Sequence, residues 1–120
     1  MTYYLMVRSD KQFSEDVPSS VLVEYLETES GLHRTDASSF GSRSGLPWLN
    51  VVIARGDPSG NYAAFADQLP QRVNLVQLNI SSLDGSYPSA LELAQRIADR
   101  LGWQVIDDET EEVLYTAPAN

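Results

Sequence analysis

His33 is the only histidine in the chain, and Arg34, Asp36, Ser38, Ser39, Ser42 and Ser44 follow it closely. A Ser-His-Asp nucleophile needs such groups to converge in space beside donors for an oxyanion, which spacing along one stretch does not supply. Gly41-Ser-Arg-Ser-Gly45 has the outer glycines of a nucleophile elbow, but Arg43 occupies the position that must be serine. The run also lacks the lysine and spacing of a phosphate loop, so it reads as a flexible connection. Asp107, Glu109 and Glu111 alternate like the ligands of a calcium loop. Glu112 then stands where the turn glycine belongs, and Pro118 where the bidentate acid belongs. The absence of cysteine excludes disulfides, thiolate metal sites and a thiol nucleophile. Residue chemistry therefore offers no catalytic, cofactor or metal constellation, and what remains is charge.

The formal charge of −9 is distributed unevenly. Residues 1–31 set Arg8 and Lys11 against six acids, residues 32–100 balance six arginines with six acids, and residues 101–120 contain five acids and no base. A phosphate-tracking surface needs a basic stripe, so nucleic-acid binding is not expected. A basic protein is the complementary partner. The opening residues lack a basic leader, a cleavage site and an apolar span near twenty residues, from which a cytoplasmic protein with no membrane association is expected.

The elements that must position this charge are best defined in residues 87–106. Pro88, Ser89 and Glu92 combine a first-turn proline with capping-box spacing, which predicts a helix starting there. Leu91, Ala94, Ile97, Ala98 and Leu101 recur on one face, with Glu92, Gln95, Arg96, Asp99 and Arg100 on the other. Gly102 suits the left-handed stop, and residues 103–106 follow as a strand. Upstream, residues 3–8 alternate as a strand. Pro18 opens a helix to about Glu29, with Leu22, Tyr25 and Leu26 buried and Gly31 as the stop. Glu24, Glu27 and Glu29 crowd the C-terminal half of that helix, where the macrodipole prefers cations.

Residues 33–45 read as a long polar loop, closed by Pro47 and Trp48. Residues 49–55 form a strand covered on both faces, and 57–61 a turn. Residues 62–69 are an edge extension or a helical turn, and 73–80 a strand with one face only partly apolar. Residues 113–116 either hairpin back or add an edge. Trp48 and Trp103 read as core anchors. Tyr4, Met6 and their sheet face are candidates for self-association into a homodimer.

A length of 120 residues implies a single domain, 1–120, able to bury roughly two-thirds of its unfolded surface. The order β-α-β-β-α-β places it in the α+β class as a ferredoxin-like split βαβ fold. Two helices would cover one face of an antiparallel sheet, with an optional extra C-terminal strand. In the strand order 4-1-3-2, residues 24–29 and 107–112 would share one pole, on the order of 15 Å apart laterally.

The small acidic cysteine-free chain, the two sheet-covering helices, Trp103 after Gly102 and the run Asp107-Asp-Glu-Thr-Glu-Glu112 resemble bacterial immunity proteins that neutralise secreted or contact-dependent toxins. The resemblance lies in the general plan. It implies a non-enzymatic inhibitor that occludes one cognate toxin or effector domain, here one acting in the cytoplasm. The expected contact surface is Glu24, Glu27, Glu29, His33, Arg43, Asp107, Asp108, Glu109, Glu111 and Glu112. The alternative is a ferredoxin-like small-molecule binding domain or minor enzyme, dimeric through its sheet, with a pocket near His33 and Arg43.

Overall fold

The computed structural model describes residues 2–45, 48–56, 62–63, 70–81 and 86–118. Its elements in chain order are β1 (Thr2–Arg8), β2 (Val17–Pro18), α1 (Ser19–Glu27), β3 (Leu32–Asp36), β4 (Ser39–Ser42), β5 (Leu49–Gly56), β6 (Tyr62–Ala63), β7 (Arg72–Val73), β8 (Leu75–Ser81), α2 (Ser86–Leu101), β9 (Gln104–Asp107) and β10 (Val113–Thr116). The main sheet runs β10-β9-β1-β8-β5-β4-β3, with β6 beside β5, while β2 and β7 form a separate pair. Every pairing is antiparallel. The chain is therefore α+β, with a mostly antiparallel sheet and two helices.

The strands expected at 3–8, 49–55, 73–80 and 103–106 lie side by side in the middle of the sheet as β1, β5, β8 and β9. Strands are added at both margins, so the path holds seven rather than four or five. Both readings of 113–116 hold at once: β10 pairs back on β9 as a hairpin and forms an edge of the sheet. Residues 62–63 take the edge-extension reading, whereas the turn expected at 57–61 lies outside the described residues.

The reading of 33–45 as a loop is corrected, because most of it is the β3–β4 hairpin. Leu32 and Phe40 anchor it in the core at 4% and 1% exposure. The Asp36 carboxylate accepts the Ser38 N–H at 3.1 Å to form the turn, and Arg34 donates to the carbonyls of Asp36 and Ala37 at 3.2 and 2.7 Å. A marginal strand needs only one inward anchor, and its remaining positions keep the polar composition of a loop.

Both helices cover one sheet face. Leu22 and Leu26 of α1, and Ala90, Leu93, Ala94, Ile97 and Ala98 of α2, join Leu5, Val7, Val51, Ile53, Val76, Leu78, Ile80 and Val105 in one core. Trp103 is buried there, but Trp48 is 49% exposed, which corrects its expected role as an anchor. Trp48 precedes the first residue of β5, at the sheet's end rather than beneath a helix. Pro18 is the N-cap of α1, with φ −57°, and the helix stops at Glu27 rather than near Glu29, as the Thr28 hydroxyl donates to the Tyr25 carbonyl at 2.6 Å. α2 starts at Ser86, three residues before the expected Ser89. Pro88 is tolerated because first-turn N–H groups have no intrahelical acceptor. Gly102, with φ +74°, ends α2 as its own N–H and that of Trp103 both donate to the Ala98 carbonyl, at 2.7 and 3.0 Å.

The expected strand at 73–80 breaks at Asn74. That side chain accepts the Gly56 N–H at 2.7 Å and donates to the Gly56 carbonyl at 2.9 Å. Its amide replaces a peptide in the ladder, so β7 can pair with β2 while β8 stays in the sheet.

Candidate functional site

The acidic turn between β9 and β10 is built by its own first residue. The Asp107 carboxylate accepts the N–H groups of Glu109 and Thr110 at 2.9 and 3.1 Å. The Asp107 N–H donates to the Glu112 carbonyl at 2.9 Å, and the Asp107 carbonyl accepts the Glu111 N–H at 2.7 Å. Glu111 takes the left-handed conformation, with φ 60°. Asp107 is thus spent on the turn, which holds Glu109, Glu111 and Glu112 outward.

Asp108 is half-buried and anchored by its N–H to the Tyr4 carbonyl at 3.1 Å. Burial, followed by the nearby charges of Asp107 and Glu111, pushes its carboxyl above the ordinary value against the pull of Arg8. Among the described residues, none of Asp108, Glu109, Glu111 or Glu112 forms an ion pair.

The other candidate residues are placed differently. Glu24 is exposed on α1. Glu27 faces Arg34 at 3.7 Å in an exposed pair. Glu29 is held by Arg96 of α2 through bonds of 3.1 and 3.0 Å and accepts the Tyr25 hydroxyl at 2.9 Å. His33 and Arg43 are exposed on and just after the β3–β4 hairpin, and Arg43 Nε donates to the Ser30 carbonyl at 3.0 Å. From β9 to β3 there are five strand spacings, which sets His33 on the order of 24 Å laterally from residues 107–112. The structure brings residues 107–112 together as one group and leaves His33 and Arg43 at the opposite sheet margin.

The turn has neighbours that the charge pattern did not reveal. Among the described residues, the exposed large apolar side chains are Tyr3, Tyr4, Trp48, Tyr87 and Val113, at 41, 44, 49, 37 and 49%. Register places Tyr3 opposite Ile80, Ile80 opposite Leu49, and Leu5 opposite Asp107. The start of β1, the end of β8, the start of β5 and the end of β9 therefore share one end of the sheet. α2 begins there too, and the rings of Tyr3 and Tyr87 meet edge to face with centroids 6.3 Å apart. All five apolar side chains lie at the pole that carries the acidic turn. Val113 and Trp48 are four strand spacings apart, about 19 Å across this pole. A sequence signal existed: each of these residues stands at or beside the beginning of an element, where a second layer gives least cover.

Among the described residues no three His, Cys, Asp or Glu side chains group as metal ligands, and no helix is long and apolar enough to cross a membrane. Compared with known proteins, the chain matches no family model, no curated protein and no solved structure at a meaningful level of similarity.

Proposed function

We propose that this chain is a non-catalytic, cytoplasmic protein-binding inhibitor that seizes a basic protein partner, a toxin or effector domain, through its aromatic and acidic pole. In this reading it acts as bacterial immunity proteins do, on a ferredoxin-like split βαβ core widened at both sheet margins. One observation carries the proposal: the exposed rings and the unpaired carboxylates occupy the same end. Tyrosine and tryptophan are the side chains that most often anchor interfaces when desolvated at their centre. Carboxylates around them steer a basic partner and speed encounter more than they add affinity. The pocket alternative near His33 and Arg43 draws less support, because both side chains stand exposed and Arg43 is engaged with the Ser30 carbonyl.

The test is capture from the native host, with identification of the bound protein and reconstitution of the pair, beginning with the product of the adjacent reading frame. A basic protein should bind, and its activity should fall on binding. The variant Tyr4→Ala/Trp48→Ala should lose the complex through faster dissociation. Glu109→Gln/Glu111→Gln/Glu112→Gln should slow association and flatten its dependence on salt. A complex indifferent to both sets of changes, or no inhibition within a reconstituted complex, would refute the proposal.

A further inference from the structure

β1 ends in Arg8, which strand alternation places on the face away from the helices, between its register partners Leu75 and Gln104. Only 6% of the residue is exposed. Its guanidinium carbon lies 5.5 Å from the centre of the Phe13 ring, and Nε is a buried donor with no acceptor. A charge taken out of water and left without an ionic partner is unfavourable unless something supplies one.

The acids whose charges reach Arg8 do not fill this role. Asp10 is committed to its own loop: one carboxylate oxygen accepts the N–H groups of Gln12 and Ser14 at 2.9 and 3.1 Å, and the other accepts the Ser14 hydroxyl. Asp108 makes no ion pair with Arg8 and is tied by its backbone to Tyr4. Phe13 covers the guanidinium from a left-handed backbone conformation, φ 53°, that is uncommon for a bulky residue. It packs on a small apolar cluster of Met6, Ala54, Leu75 and Ile106, separate from the main core. A guanidinium with one buried, unbonded donor thus sits beneath an aromatic cover whose backbone is left-handed.

We propose that Arg8 anchors a second site, one for a small organic monocarboxylate, whose carboxylate takes the guanidinium fork while its apolar body displaces Phe13 and lies against Met6 and Ile106. Arginine's planar donors match a carboxylate in pairs. A phosphate dianion is disfavoured because it has no apolar body to set against Met6 and Ile106 in place of Phe13. The site is independent of the aromatic pole and stands or falls apart from it.

The experiment is a titration of the 15N-labelled wild-type chain with sodium benzoate, following the assigned Arg8 Nε–H correlation, with acetate and phosphate at matched ionic strength. Benzoate should move the resonance saturably and bind at least about tenfold more tightly than acetate, the difference expected for burying a phenyl group rather than a methyl. Phosphate should cause no saturable change. An Arg8 resonance unmoved by benzoate, or one that answers phosphate equally, overturns the proposal.

Discussion

Glu29 is an acid that builds the molecule rather than one left free for the proposed partner, and Glu29→Gln measures what it contributes. Its carboxylate receives two bonds from Arg96 and one from Tyr25, joining the end of α1 to α2. Charge-assisted bonds contribute about 1.5–3 kcal/mol when well sheltered. Here the Arg96 side chain is 49% exposed and that of Glu29 18%, so solvent screening brings the whole cluster to about 1.5 kcal/mol. Unfolding entropy near 2.1 cal/mol/K per residue over 120 residues converts this to a Tm lower by about 6 °C at pH 7. Burial alone would raise the Glu29 carboxyl, but the bonds from Arg96 and Tyr25 outweigh it and hold the group below 4.5. A depressed folded value stabilises above the ordinary value and is lost as pH falls through the folded one. The gap between wild type and Glu29→Gln should therefore close as pH drops below about 4.5. Urea and thermal unfolding followed by circular dichroism, at pH 7 and pH 3, read both quantities. A variant as stable as wild type at pH 7, or a gap unchanged at pH 3, refutes the reasoning.

Asp108→Asn should act in the opposite sense, because burial and then the charges of Asp107 and Glu111 raise that carboxyl above 3.8. A raised acid loses folding stability as pH climbs through that value, so the amide should add a few tenths of a kcal/mol at pH 7 after screening, and nothing well below pH 3.8. The same paired unfolding scans test it, and a variant less stable at pH 7 counts against it. Gly102→Ala should cost about 1 kcal/mol in urea unfolding: φ is +74° and nothing lies within 4 Å of an added Cβ, so backbone strain is the whole penalty. A loss under about 0.3 kcal/mol would mean that α2 can end in another conformation.

The layers were legible in the sequence where periodicity was strong. Alternation in 3–8 and the apolar run of 49–55 mark β1 and β5, and the three- and four-residue spacing after Pro88 marks α2. The β3–β4 hairpin was illegible because Leu32 and Phe40 are its only buried apolar side chains, amid polar residues that any loop would carry. Trp48 misled because its size predicts burial, whereas its place before Leu49 decides exposure. The turn at 107–112 was visible as a run of acids, yet that none of Asp108, Glu109, Glu111 and Glu112 forms an ion pair among the described residues depends on the fold. Glu29 shows the converse: its partner Arg96 is 67 positions away, so a neutralised charge looked free.

The exposed rings of Tyr3 and Tyr4, Trp48 and Tyr87 come from three distant stretches of chain, and each stands where an element begins rather than along its body. Exchanging them leaves the interdigitation of sheet and helices untouched. If this end is the contact surface proposed above, its grip could be altered one stretch at a time on an unchanged scaffold.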